Sequence, residues 1–292
     1  MKPLSEKSAA LNLLIGCVVF SLGSIIVAKV PVGSYAIAFW RLAVAAVIFA
    51  VLMRLFAQRF PKNRKAIGWA LLSGVFLGFD LALWHESIHA VGPGIATVLN
   101  CLQIFWITAM GLLFFGEKLT RQQIVSLVLA MLGVIMIASP EFGHNHHALW
   151  GLFTGLASGL ALAISMMLVR KTHETAKTPI FVLMWLLSVG GMLTLIVPML
   201  LWNGDSLLPQ TWTQASLIVI YGAVMQCFAW GMIAYALPLL SLSVAGLLLL
   251  SEPVAALWID FVFLDKPIST IQWLGAVLTM VAIYLGSLKK KK

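Results

Sequence analysis

Residues 239–264 read Leu-Leu-Ser-Leu-Ser-Val-Ala-Gly-Leu-Leu-Leu-Leu-Ser-Glu-Pro-Val-Ala-Ala-Leu-Trp-Ile-Asp-Phe-Val-Phe-Leu. A helix needs about 20 mostly apolar residues to cross the hydrocarbon of a bilayer, and this run is long enough. Its acids are Glu252, near the middle, and Asp260, four residues from the end. A charged group at the bilayer centre costs roughly 2.5–3.5 kcal/mol on insertion scales. The stretch therefore reads as a transmembrane helix carrying a carboxylate for a reason.

Working outward, runs of the same kind fill the chain, at about 8–30, 34–57, 66–90, 92–115, 122–139, 149–169, 179–202, 214–236 and 268–288. With 239–264 they make ten spans. Most breaks are polar and short, such as Arg59 to Lys65, Gly116-Glu117-Lys118 and Asn203-Gly204-Asp205. The weakest lie at Pro31-Val32-Gly33, Gly92-Pro93-Gly94 and near Pro238, where only Pro and Gly punctuate the apolar run. The composition agrees: 61% of the 292 residues are hydrophobic and 10% charged. A soluble surface needs more charge than that (~25% is usual), which excludes a water-soluble enzyme and a nucleic-acid-binding domain. Continuous apolar runs, rather than ~10-residue alternation, exclude a β-barrel. Cys17, Cys101 and Cys227 stand alone in apolar surroundings and form no C-x-x-C pair, so they predict neither disulfides nor a zinc site.

The net charge of +9 is a topology signal. With a cytoplasmic N-terminus, 16 of the 19 Lys and Arg residues fall on the inner side, leaving Lys29, Arg41 and Lys266 outside. Basic residues concentrate in cytoplasmic loops, so both termini are expected to be cytoplasmic.

The chain also matches itself at a shift of 149 residues: Val75 meets Val224, Phe79 meets Phe228, Ala96 meets Ala245, Gln123 meets Gln272 and Met131 meets Met280. This divides it into repeats at 9–139 and 149–288, each with five spans. Five is odd, so the second copy must enter the membrane inverted. Inverted repeats with a midplane substrate site are a common transporter architecture. The expected fold is thus all-α and integral to the membrane, with ten helices in two inverted five-helix repeats around a central cavity.

Three motifs carry a family resemblance. Phe20-Ser21-Leu22-Gly23-Ser24 with Lys29 and then Arg41 is similar to the start of an EamA-type repeat. Gly116-Glu117-Lys118-Leu119-Thr120 resembles the loop closing its fourth span. Glu252-Pro253 followed by Ala255-Ala256 resembles the fourth span of the second repeat. Over residues 9–288 the chain looks like a ten-helix, EamA-like member of the drug/metabolite transporter superfamily. The resemblance implies a secondary transporter of the bacterial inner membrane, an exporter of small metabolites or amino acids by alternating access. It implies peripheral fifth and tenth spans, free of acidic and basic residues and available for a homodimer. A flippase for lipid or polyprenyl-linked substrates, or a proton-independent facilitator, is the alternative.

Depth in the spans selects the candidate site. Asp80 and Glu252 are the mid-span carboxylates, and Gln103 is the 149-residue counterpart of Glu252. Asn100, Gln103 and Trp106 are spaced to share a helix face, and Gln226 lies near mid-depth. These six residues are expected to line a cavity for substrate and a coupling ion, a proton taken up by Glu252. Pro253 removes a backbone donor and frees a carbonyl in the preceding turn. Lys29 and Arg41 lie near outer span ends, where snorkelling explains them; a gate with Glu86 or Asp260 is the other reading. Trp40, Trp150, Trp202, Trp212 and Trp273 suit an interfacial belt, which leaves Trp84, Trp106, Trp230 and Trp258 for the cavity. Gly151, Gly155 and Gly159 form a small-residue stripe for close helix packing. The His144-Asn145-His146-His147 stretch is an outer loop, to which no metal is assigned. No cofactor motif is present: there is neither a H-E-x-x-H pair nor a phosphate-binding Gly-rich loop. A channel is disfavoured by the lack of rings of like charge.

Overall fold

A computed structural model of the chain describes residues 6–138, 148–202, 206–263 and 269–287. The His144–His147 loop lies outside the described residues, as do the side chains of Lys29 and Asp260. Every regular element among the described residues is helical. In chain order they are α1 (Glu6–Ser21), α2 (Gly23–Lys29), α3 (Ser34–Leu55), α4 (Arg64–Cys101), α5 (Gln103–Phe115), α6 (Arg121–Ala138), α7 (Ala148–Thr175), α8 (Ile180–Trp202) and α9 (Trp212–Ile220). A π-helical stretch follows (Tyr221–Ala229), then α10 (Trp230–Ala236), a 3₁₀ turn (Leu237–Leu239), α11 (Leu242–Leu249), α12 (Ser251–Phe263) and α13 (Thr270–Ser287). Six stretches have the length and apolarity to cross a membrane, at 6–27, 34–55, 64–91, 149–175, 180–202 and 212–239. Four shorter apolar helices lie at 99–115, 121–136, 242–255 and 270–286.

Gly92-Pro93-Gly94 leaves no non-helical residue between the two spans, since α4 runs on to Cys101. The chain nevertheless turns back there. Asn100 Nδ2 donates to Asp80 Oδ1 at 3.0 Å, although twenty residues of straight helix would separate them by about 30 Å. The two arms of α4 therefore lie side by side, and the reversal falls where Gly and Pro weaken the helix.

The other departures from regular helix sit inside spans. Leu22, Leu102 and Leu250 are single-residue turns whose N–H groups reach back three residues, to Val19 (3.3 Å), Leu99 (3.2 Å) and Leu247 (3.2 Å). Pro253 anticipates only the last: its ring displaces the bond to Leu249, one residue before the turn. Leu22 and Leu102 have no proline nearby to announce them.

Small residues set the closest packing. An added Cβ on Gly78 of α4 would stand 2.9 Å from both the Cα and the carbonyl oxygen of Gly191 in α8, and Gly74 and Gly190 meet opposing backbone in the same seam. The Gly151/Gly155/Gly159 stripe of α7 lies against Val91, Leu99 and Asn100 of α4, the close contact its spacing predicts. Helices α6 and α13 pair with each other. They run antiparallel, because Gln122 donates to the carbonyl of Leu285 while Gly133 abuts Gly275. Between those points the Thr279 hydroxyl contacts the Ala130 carbonyl at 3.5 Å, a pair separated by the repeat interval of 149 residues.

The outer surface is apolar. Ile124, Val125, Val128 and Leu132 on α6 and Leu274, Val277 and Val281 on α13 are exposed, and Leu113 is 79% exposed. Leaving such area in water costs about 25 cal/mol per Å², and contiguous patches this large mark contact with an apolar partner. Polar side chains do the reverse: Arg41, Asp80, Asn100, Gln103 and Gln226 are all buried.

Candidate functional site

The buried polar residues converge on a narrow cavity. Phe20 of α1 and Leu162 and Met166 of α7 form one part of its wall. Asp80, Leu81 and Trp84 of α4 stand with Trp230 and Ile233 of α10. Asn100 and Gln103 stand with Leu249 and Glu252. Its interior holds about 10 Å³ of space for water-sized bodies, close to what a single water needs. At that volume the cavity is too small for an organic solute. Spans two and seven, α3 and α8, contribute no lining residue. They stand behind the wall, packed on each other and on α4.

Asp80 is held rather than loose. Asn100 spends its two amide hydrogens on Asp80 Oδ1 (3.0 Å) and Ser158 Oγ (2.8 Å), and Ser158 donates onward to the Gly155 carbonyl (3.0 Å). This fixes one carboxylate oxygen and ties both arms of α4 to α7. Gln103 is 3% exposed, and its Oε1 has no hydrogen-bond partner among the described residues.

Arg41 corrects the expectation of a snorkelling residue. It is 0% exposed, because it lies seven residues into α3, roughly 10 Å from the helix start, with its guanidinium turned to the protein interior. Its Nε donates to Gln226 Oε1 and its Nη1 to the Tyr221 hydroxyl, both at 2.8 Å. The Phe20 and Tyr221 rings lie 4.7 and 4.6 Å from the guanidinium carbon, where the ring faces attract the cation. His85 continues the network, with Nε2 3.0 Å from the Tyr221 hydroxyl and Nδ1 3.1 Å from the Ser34 carbonyl. The carbonyl can only accept, so Nδ1 carries the hydrogen and a neutral ring presents Nε2 to Tyr221 as the acceptor.

The other gate candidates lie elsewhere. Glu86 is half-buried and accepts from Trp150 Nε1 at 3.3 Å; it makes no ion pair with Arg41. The side chains of Lys29 and Asp260 lie outside the described residues. Trp106 does not line the cavity and is 46% exposed. The buried stripe of α5 is Gln103, Ile104, Ile107, Thr108 and Gly111, and Trp106 sits roughly 130° around the helix from its centre at 3.6 residues per turn. Gln226 is fully buried beside Arg41, behind the lining residues. Trp84 and Trp230 line the cavity, while Trp258 is 52% exposed and meets Phe261 and Trp273 edge to face.

Glu117 is a site that reading the sequence missed beyond its loop motif. Gly116 closes α5 in the left-handed conformation (φ 61°), which delivers Glu117 to the start of α11. There Oε1 accepts from Leu242 N at 2.9 Å, and Oε2 accepts from Ser243 Oγ at 3.0 Å and more weakly from Ser243 N at 3.4 Å. The exposed N–H groups of a helix start favour an anion. Arg170 at the end of α7 completes the cluster with an ion pair to Glu117 and lies over the Phe115 ring at 4.4 Å. One carboxylate thus joins α5 to α7 and α11, across the boundary between repeats. The available signal was that Glu117 and Arg170 each end an apolar run, at ends that the charge bias predicts to share one side of the membrane.

Comparison with known proteins accords with this arrangement. The sequence profile of the EamA-like transporter family matches residues 7–139 and again 149–288. A probable amino-acid metabolite efflux pump of Escherichia coli is 25% identical over 201 residues, 66% of this chain and 67% of that one. The pseudopaline exporter CntI of Pseudomonas aeruginosa is 26% identical over 192 residues, 64% and 63% of the two chains. An uncharacterised transporter of Archaeoglobus fulgidus is 26% identical over 258 residues, 86% and 87%. A solved crystal structure shares the fold with a TM-score of 0.76 at 14% identity, covering 96% of each chain. The two profile matches leave little of the chain uncovered, and the apolar exterior fits a multi-pass protein: this chain belongs to the EamA-like transporter family of the drug/metabolite transporter superfamily and is a membrane transporter, not an enzyme.

Proposed function

We propose that the protein is a secondary active exporter of small organic metabolites or amino acids, working by alternating access between two inverted five-helix repeats. The observation that carries this reading is the origin of the cavity wall. Its residues come from spans one and six, three and eight, and four and nine, three pairs of counterparts under the 149-residue shift. Two further features support inversion. Counterpart helices α6 and α13 are antiparallel and touch at Ala130 and Thr279, as a two-fold axis in the membrane plane requires. Spans four and nine also break at nearly equivalent places, Leu102 and Leu250, beside Gln103 and Glu252. Broken helices around a midplane site are a transporter device.

Export and the solute class follow the relatives, one an amino-acid metabolite efflux pump and one a pseudopaline exporter. The placement of basic residues and the bacterial relatives support an inner-membrane location with both termini cytoplasmic. A cavity with Asp80, Asn100, Gln103 and Glu252 in its wall supports a solute carrier over a flippase, whose groove opens to lipid. In this reading Glu252 carries the coupling proton, loading it from one side and releasing it to the other. Reconstituted vesicles with and without a proton gradient test it. Glu252→Gln is expected to abolish gradient-driven transport while leaving solute exchange measurable. Normal transport with an unaltered pH dependence would make Glu252 structural and shift the role to Asp80. If neutral variants of both acids stay proton-coupled, the coupling mechanism is refuted.

A further inference from the structure

Three buried donors have no acceptor among the described residues: Arg41 Nη2 and Gln226 Nε2, behind the cavity wall, and Trp230 Nε1, on a residue of the wall itself. Their side chains are 0%, 0% and 1% exposed. Arg41 and Gln226 are joined through Arg41 Nε and Gln226 Oε1. Arginine only donates, so this bond requires the amide oxygen to face it and leaves Nε2 unused. Phe20 connects the group to the cavity. Its ring lies 4.7 Å from the guanidinium carbon and 6.0 Å from the Trp230 ring, and both Phe20 and Trp230 line the wall.

Buried polar groups are almost always satisfied, and a buried charge lacking a partner is especially costly. Yet no described carboxylate lies within 4.0 Å of Arg41, since the ion pairs of the described residues involve Arg170 alone. The wall also carries acceptors: Asp80 and Glu252 when ionised, and Gln103 Oε1, which has no donor among the described residues. The cavity thus meets unused donors around a buried cation as well as carboxylates.

We infer that Arg41, Gln226 and Trp230 form a carboxylate-binding subsite, and that the solute is a zwitterion of the amino-acid type. Its carboxylate goes to the three donors and its ammonium to Asp80, Glu252 and Gln103. This rests on the transporter reading above and names the polarity of its substrate. Arginine suits the task because its planar donors match a carboxylate better than an ammonium group does. Tyr221 and His85 are positioning residues: Tyr221 accepts from Nη1, His85 holds Tyr221, and Nη2 is left without a partner among the described residues. Phe20, Trp84 and Trp230 add apolar wall, which suits an apolar side chain on the solute.

The test uses the full chain in proteoliposomes and counterflow of three probe sets: the proteinogenic amino acids, their α-amides, and the corresponding decarboxylated amines. Wild type is expected to exchange at least one amino acid with a KM tenfold or more below those of its amide and amine. Arg41→Gln should erase that discrimination. Trp230→Phe keeps the ring and removes only the N–H; it should raise KM for the acid about threefold or more and leave the amine within twofold. Trp230→Phe carries the test alone if Arg41→Gln fails to fold. Equal KM values for acid, amide and amine in wild type would overturn the subsite and leave the transporter reading intact, as would a Trp230→Phe variant affecting acid and amine alike. Exchange of none of these probes also overturns the subsite. If a wider panel of neutral and cationic metabolites then fails to exchange as well, the transporter reading falls with it.

Discussion

Glu117→Gln should open the protein on the face where α5, α7 and α11 meet. The carboxylate accepts from four donors: Arg170, Leu242 N, Ser243 Oγ and Ser243 N. A carboxamide of the same size has one oxygen to offer and turns an NH₂ group toward donors. At least two of the four bonds are lost, together with the charge that strengthened them. Bonds to a charged group contribute about 1.5–3 kcal/mol each when well buried. Arg170 is 19% exposed and can turn to Glu174, 3.6 Å from its Nε, which offsets part of the loss. A net effect of about 2 kcal/mol remains, close to 30-fold in the equilibrium between latched and open forms. Spin labels at Lys118 and Lys177, exposed on either side of the latch, would report it in a background lacking Cys17, Cys101 and Cys227. A longer-distance population should grow in Glu117→Gln. In the double variant Glu117→Gln/Arg170→Gln it should grow by less than the sum of the two single effects. Distance distributions that superimpose on wild type would refute the latch.

Acid should act on the same cluster. Burial alone would raise the Glu117 carboxyl, but the Leu242 N–H, Arg170 and Ser243 outweigh it and hold the group below its ordinary 4.5. A depressed folded value means the latch contributes fully above about pH 4.5 and weakens as pH falls through that lower value. The spin-label distance should widen on acidification in wild type and stay constant in Glu117→Gln. Gly78→Leu should lower the melting temperature of the detergent-solubilised protein, since overpacking costs about 1–3 kcal/mol and backbone lies 2.9 Å from the new Cβ. Gly68→Leu, with nothing within 4 Å, should leave the melt unchanged. Pro61 and Gln210 are counterparts at 149 residues; single cysteines there should label with an impermeant maleimide on opposite faces of the membrane. Equal labelling of both in intact cells would refute the inverted repeat.

The spans were legible because hydrocarbon imposes one strong rule, a long apolar run between polar breaks: six of the runs coincide with helices long and apolar enough to cross a membrane, and four shorter apolar helices fall in the others. Depth was legible for the same reason. Counting from span ends placed Asp80, Asn100, Gln103 and Glu252 at one level, and all four line the cavity. Direction around a helix was harder. Trp106 shares a three-residue spacing with Gln103, yet the buried stripe of α5 is centred elsewhere. Arg41 looked like a span-end cation because depth says nothing of which way a side chain turns. Its partners, Tyr221 and Gln226, are 180 and 185 residues away in sequence, and no local pattern announces them. The turns at Leu22 and Leu102 were hidden because no proline stands near either to announce them.

The repeats share a frame but not a chemistry. Glu252 answers to Gln103, but Asp80 answers to Ala229, Asn100 to Leu249, Arg41 to Gly190 and Gln226 to Leu77. On the inverted-repeat reading, the symmetric frame lets the two halves exchange shapes, so that a cavity closed to one side can open to the other. A dipolar solute requires the opposite property, a cavity with unlike ends, and only divergence between the copies supplies it. The latch is asymmetric in the same way. Glu117 has Lys266 as its counterpart and Arg170 has Ser21, so an identical carboxylate cluster cannot form on the other face. A frame with two equivalent shapes is thereby biased by about 2 kcal/mol, the worth of one latch, toward the form closed where Glu117 sits. On the proton-coupled, alternating-access reading proposed above, solute and proton binding together supply at least that difference when the transporter opens to that side.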